Sequence, residues 1–340
     1  MTTESSRGSW LGWLRIALGV VGLGVLVGLV RSVGYRVVLT TIASAARWIP
    51  VLFALELARI GCETVGARLA LGSVGSRVPW RTLFRANLIG QSIANFAPAP
   101  RVVNETIKAT IVAPYVGLPA ATSVGFTIQA ATLVSVGLFT LPCALAIYLR
   151  VGVSVWFWAA LIHTVVLVAT GLALRATTRA HGPGRWLAKK LPRFAAGASS
   201  FSEHAREVPL LAVGPTLALT GNRAFQSVQL GVAAAAVGIQ AGALEALAAQ
   251  GVNLVAAAVF VLVPGGLGTT DGAFSLGRDL MGATLAQATS MALLLRCSQI
   301  VTLLVGSVAA LVNDAPRDQR LEPDDGSSTA SASAASRSKK

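Results

Sequence analysis

Apolar runs longer than a bilayer is thick decide what this chain can become. Residues 120–149 and 283–312 contain a single charge between them, Arg296. Each exceeds the ~20 residues that a helix needs to cross hydrocarbon. A membrane barrel would instead show short segments of alternating polarity. The chain has 54% hydrophobic and 12% charged residues, against roughly 25% charged in a water-soluble domain. Its mean hydropathy is +0.67. Thirty-four glycines and runs of alanine supply the small side chains that let membrane helices approach closely. The expected fold class is therefore all-α, a polytopic transmembrane helical bundle.

The sequence divides into a polar N-terminal tail (1–9), a membrane domain (10–312) and a charged, then Ser/Ala-rich tail (313–340) expected to be disordered. The apolar run Ile16–Val30 reads as a retained first span, because no small-residue cleavage site follows it. Further apolar segments cover 48–71, 83–99, 120–149, 153–175, 208–238, 243–264 and 283–312, about eight helical pieces with the first. The formal charge of +14 is spread among the loops, which fits membrane orientation and not nucleic-acid binding. Cys62, Cys143 and Cys297 lie apart within apolar stretches and read as core residues, and no histidine has a partner at metal-ligand spacing. No metal or other cofactor is expected.

Residues 176–206 gather Arg179, Arg185, Lys189, Lys190, Arg193 and Arg206, which places this loop in the cytoplasm. With the N-terminus also inside, five complete crossings before the loop would leave it on the wrong face. The conflict disappears if 83–113 is re-entrant from the cytoplasmic side and 243–278 from the outer side. Each has a Pro/Gly-broken centre flanked by charge, NFAPAPRVVNETIK and VPGGLGTTDGAF. Broken backbone at membrane depth is tolerated only beside protein or a watery cavity. A pair of such segments points to a transport site, and their opposed sides of insertion to an inverted repeat. This arrangement puts Arg31, Arg36 and Arg47 outside. The competing arrangement has the N-terminus outside and every segment spanning.

At these breaks the sequence resembles the membrane domain of lysylphosphatidylglycerol synthases, a group often described as flippase-like integral membrane proteins. The first motif of that family reads here Pro100, Arg101, Asn104, Glu105 and Lys108, with Asn104 in place of a glycine and Lys108 in place of an arginine. The second reads Pro264, Gly265, Gly266, Leu267, Gly268 and Asp271, with Asp271 in place of a glutamate, and Arg296 matches an arginine on the next helix. The resemblance implies lipid handling at these positions. The soluble aminoacyl-transferase module of bifunctional relatives has no counterpart in these 340 residues.

Charged groups inside a membrane face a cavity or one another. Glu105 and Lys108 have the spacing of a neutralising pair on one helix face, or Arg101 and Lys108 attract a lipid phosphate while Glu105 contacts an amine. Gly265, Gly266 and Gly268 either form a sharp turn or free backbone N–H groups for an anion, and Asp271 with Arg296 could pair under either reading. The spacing of Glu56, Arg59 and Glu63 predicts one polar helix stripe lining a cavity. Arg68, Gln129, Asn222, Arg223, Gln226, Gln229, Glu245 and Asn253 are further polar residues within segments.

The leading expectation is an inner-membrane flippase or transporter that holds a phospholipid or related amphiphile between the two broken segments, through Arg101, Asn104, Glu105, Lys108, Pro264, Gly265, Gly266, Gly268, Asp271 and Arg296. Membrane lipids, and a separately encoded lipid-modifying enzyme, are the expected partners; nucleic acid is not. The alternatives are an integral membrane enzyme acting on a lipid headgroup, for which no known catalytic motif is present, and a non-catalytic partner subunit.

Overall fold

The computed structural model describes residues 31, 35–94, 100–179, 209, 211–259 and 269–311, and every regular element among them is a helix. Helix α1 (Tyr35–Ala45) leads through a 3-10 turn (Ala46–Trp48) into α2 (Ile49–Ala70). Pro50 stands in the first turn of α2. It has no N–H to continue the ladder and its ring clashes with the carbonyl four residues back, so the backbone tightens at 46–48. Helices α3 (Trp80–Ala94) and α4 (Pro100–Val116) pack together as a hairpin.

Gly117, at φ 83°, then turns the chain into α5 (Leu118–Val151), and Gly152, at φ 71°, turns it back into α6 (Val155–Arg179). The chain continues with α7 (Val213–Ala236), α8 (Ala243–Val259), α9 (Thr269–Leu276), a 3-10 turn (Arg278–Met281) and α10 (Leu285–Leu311).

Helices α5, α6 and α10 are long and apolar enough to cross a membrane. The chain is an all-α membrane helical bundle. Close approach of α5 and α6 depends on small residues: a Cβ on Gly137 would lie 2.7 Å from Val168 Cγ2, and one on Gly171 would lie 2.9 Å from the Ala130 carbonyl. Such contacts let van der Waals packing hold helices that gain nothing from the hydrophobic effect in lipid.

Two apolar clusters mark the two ends of the bundle. One joins Ala45, Leu52, Ile147, Ala160, Val237 and Met281. The other joins Leu71, Val78, Leu83, Val112, Tyr115 and Ala121. The hairpin α3–α4 begins and finishes at the second end, where Leu83 meets Val112 and Tyr115. The broken pair α8–α9 begins and finishes at the first, where Ala248 and Met281 share a cluster. Helices α3, α4 and α8 have 15, 17 and 17 residues, about 22–26 Å at 1.5 Å per residue. Each is shorter than the ~30 Å hydrocarbon core.

Several expected boundaries shift. Segment 83–99 is helical to Ala94, within α3, which begins earlier at Trp80; its residues 95–99 lie outside the described residues. Helix α6 runs four residues beyond the expected 175, into the start of the basic loop, and the expected 208–238 contracts to Val213–Ala236. Helix α1 was not expected; it packs on α10 and carries Arg36, whose Nε donates to the Tyr35 hydroxyl at 3.1 Å. The expected first span 16–30, loop residues 180–206 and tail 313–340 lie outside the described residues.

Candidate functional site

The polar stripe of α2 is the best organised part of the interior. Glu56, Arg59 and Glu63 follow the 3–4 residue spacing that keeps side chains on one helix face, and that face meets α7. Arg59 Nη1 pairs with Glu56 Oε2 at 2.5 Å and donates to Gln229 Oε1 at 3.0 Å. Gln229 Nε2 returns a bond to Glu56 Oε2 at 3.1 Å and another to the Leu52 carbonyl at 3.1 Å. Seven residues earlier on α7, Asn222 Nδ2 donates to the Arg59 carbonyl at 2.9 Å and to Glu63 Oε1 at 3.4 Å. A pair taken out of water keeps its charges only when further hydrogen bonds satisfy them, and Gln229 serves both members.

Opposite this wall stands α4. Lys108 Nζ lies 2.5 Å from Glu105 Oε1, the intrahelical pair that the spacing predicts. Arg101 and Asn104 sit one turn nearer the break. Together with Glu56, Arg59, Glu63, Arg223, Gln226, Gln91 and Gln299, these four residues of the first motif line one polar cavity of about 240 Å³. It lies in the middle of the bundle, because its lining residues come from the central turns of α2, α7 and α10 and from the hairpin.

A second, apolar cavity of about 410 Å³ runs between α4 and α5, lined by Val102, Thr106, Ala109, Leu118, Phe126 and Gln129 among others. Arg101 and Glu105 line both cavities. Gly125 on α5 lets the carboxylate in: a Cβ there would lie 3.3 Å from Glu105 Oε2.

The second motif is placed differently. Asp271 is buried on α9, and Arg296 Nη2 on α10 lies 3.4 Å from its Oδ2. Arg296 also donates to Thr270 Oγ1 at 3.3 Å and to Gln299 Oε1 at 3.2 Å. Asp271 and Arg296 therefore do not line the polar cavity; they adjoin it through Gln299. Pro264, Gly265, Gly266 and Gly268 lie outside the described residues, and Pro100 opens α4.

The family described as Lysylphosphatidylglycerol synthase TM region matches residues 12–306. The chain belongs to this family. No curated protein and no solved structure matches it. As a lysylphosphatidylglycerol synthase TM region, the chain is an integral membrane protein of a lipid-related family.

In this lysylphosphatidylglycerol synthase TM region the α2 stripe was expected to line a cavity and does, outside the two broken segments that carried the expected site; Arg223 and Gln226 of α7 were not expected there. Their signal was present: charged and amide side chains at helical spacing inside apolar segments. That signal alone does not sort cavity residues from others. Glu245, of the same kind, pairs instead with Arg150 at 2.9 Å at the end of α5, and Arg68 reaches the Val78 carbonyl at 3.5 Å. Gln91 and Gln299 carried no sequence signal beyond being amides in apolar helices.

Proposed function

We propose that the protein binds a phospholipid or related amphiphile and moves it between the leaflets of a bacterial-type inner membrane. One observation carries the reading: a charged cavity at mid-depth and an apolar cavity beside it share Arg101 and Glu105 as a common edge. A headgroup and an acyl chain need that pair of surroundings in contact. Neither cavity alone suits an amphiphile, since a polar site leaves the chains in unfavourable contact and an apolar one strands the headgroup.

The two broken hairpins enter from opposite ends of the bundle, the arrangement of folds that hold a substrate near the bilayer midplane and expose it alternately. The end at which α6 finishes and residues 180–208 follow is the cytoplasmic one, by the excess of arginine and lysine there. Hairpin α3–α4 is then re-entrant from the cytoplasm and α8–α9 from outside. Broken backbone at membrane depth is tolerated beside a polar hollow of this kind.

Reconstitution into liposomes with a fluorescent phospholipid tests the proposal. Redistribution of label to the outer leaflet, with the lipid chemically unchanged, is the expected result, and Glu105→Gln should slow it strongly. A new lipid species would instead favour an enzyme acting on the headgroup. No redistribution and no new species would reject both and leave a partner subunit.

A further inference from the structure

The polar cavity is shut toward one end of the bundle and approached from the other. Leu52 stands one turn from Glu56 on α2, Leu230 one turn from Gln226 on α7, and Leu294 just over one turn from Gln299 on α10. All three are buried and join Ile147 of α5 and Met281 in the apolar cluster of one end. Toward the opposite end, the adjoining apolar cavity is lined by Val102, Leu118 and Phe126, all exposed. The structure is therefore open toward the end that carries Leu118, assigned above to the cytoplasm, and closed toward the end that carries Met281.

A clasp lies at the rim of the closed end. Arg150, in the last turn of α5, places Nη1 2.9 Å from Oε1 of Glu245, in the first turn of α8. The other carboxylate oxygen accepts a bond from the Gly242 N–H at 2.8 Å. Each charge also complements the pole of its own helix, a cation at a C-terminus and a carboxylate at an N-terminus. Arg150 extends toward the far limb of the hairpin as well: a Cβ on Gly282, which follows α9 at φ 63°, would lie 3.6 Å from its Nη2. One side chain of α5 thus holds the start of the α8–α9 pair and adjoins the turn that ends it.

Other contacts keep that pair with α10. Gln287 Nε2 on α10 donates to the Gly238 carbonyl, between α7 and α8, at 3.0 Å, and Arg296 on α10 holds Asp271 on α9. Between α5 and α8 the contact below the clasp is close and apolar: a Cβ on Gly251 would lie 3.0 Å from Ile147 Cδ1 and 3.1 Å from Cys143 Cβ. A seam of this kind parts without breaking hydrogen bonds. The Arg150 side chain is 35% exposed, so water takes up both charges when the clasp opens, whereas a buried pair would resist.

We infer that Arg150 and Glu245 form the outer gate of the transport cycle. Joined, they hold α8–α9 against α5 and leave the polar cavity open to the cytoplasmic side; parted, they let α8–α9 move off α5 and open the same cavity outward. The inference rests on the transport reading above and adds the residues that set which side is open. Glu245→Gln removes the charge attraction but keeps an oxygen for the Gly242 N–H, so it weakens the clasp and spares the start of α8.

A single cysteine replacing Gln226, which lines the polar cavity, reports the open side in a background lacking Cys62, Cys143 and Cys297. With the native pair, an impermeant maleimide should label it faster in inverted membrane vesicles than in intact cells. Glu245→Gln and Arg150→Gln should each raise the rate in intact cells at least about threefold and lower it in inverted vesicles, as a shift between two populations requires. Cross-linking Arg150→Cys to Glu245→Cys with a short bis-maleimide should stop phospholipid redistribution in liposomes, while either single cysteine treated alike lets it continue.

A rise on both sides marks general loosening and overturns the gate. Unchanged rates on both sides overturn it too, as does faster labelling of the native pair in intact cells. Labelling that responds as expected in a protein that redistributes no phospholipid keeps the gate and removes the lipid reading. Redistribution that survives the cross-link removes the gate and keeps the lipid reading.

Discussion

Asn104 on α4 presses its side-chain oxygen into the notch left by Gly90 on α3, so closely that a methyl group on residue 90 would lie 2.2 Å from Asn104 Oδ1 and 3.2 Å from the Asn104 carbonyl. The two limbs of the first hairpin are held in register at this point. Gly90 is what makes room for Asn104.

Gly90→Ala should therefore destabilise the protein by about 1–3 kcal/mol, the range for an overpacked interior. Adding Asn104→Gly should recover most of the loss but not all, because the backbone carbonyl stays near. Thermal unfolding of the two single variants and the double variant in detergent measures this. Additive losses would show that the two residues do not meet.

The Glu56–Arg59–Gln229 network predicts a second coupling. Glu56 is 5% exposed, so Glu56→Ala leaves Arg59 uncompensated and should cost about 3–5 kcal/mol, as for other broken buried pairs. Replacing both partners, Glu56→Gln with Arg59→Gln, should cost less than Glu56→Ala alone. Gln229→Leu removes bonds to both charges and should cost about 1–2 kcal/mol. A double variant as unstable as the sum of its parts would contradict the network.

At the end of the bundle holding Leu83, Arg85 on α3 donates through Nε to the Ala309 carbonyl at 2.8 Å. Carbonyls in the last turn of α10 lack helical partners, and a cation there also meets the negative pole of the helix. Arg85→Ala should loosen that turn by about 0.5–2 kcal/mol. Faster amide exchange is expected near residues 305–311 with little change in the first half of α10. Uniform exchange throughout α10 would mean that Arg85 does not act as its cap.

The sequence made the bundle legible because the bilayer imposes length and polarity on every span, so α5, α6 and α10 could be read from uninterrupted apolar runs. It made the first motif legible because Arg101, Asn104, Glu105 and Lys108 lie on one short helix, where spacing alone sets their faces. The spacing of Glu56, Arg59 and Glu63 made the α2 wall legible, but the α7 wall opposite it was harder. Glu56 and Gln229 are 173 residues apart, and no local pattern states which two helices will face each other. The same limit hid Gln299, which lines the cavity and accepts a bond from Arg296 at 3.2 Å. Helix α1, at 11 residues, is too short to show as a span, and its packing on α10 supplies what its own pattern does not.

The arrangement of the hairpins gives a further prediction that needs no functional assay. If α3–α4 returns to the end it started from, Ser76 and Leu118, exposed on either side of it, face one compartment. If α8–α9 does the same, Gln240 and Asp279 face the other. Single cysteines at these four positions, in a background lacking Cys62, Cys143 and Cys297, should react with an impermeant maleimide in two pairs. Residues 76 and 118 should label only when the cytoplasmic face is opened, and 240 and 279 in intact cells. Were every apolar segment a complete crossing, 76 and 118 would label from opposite sides, and so would 240 and 279. That outcome would remove the opposed hairpins and with them the physical basis for alternating exposure of the polar cavity.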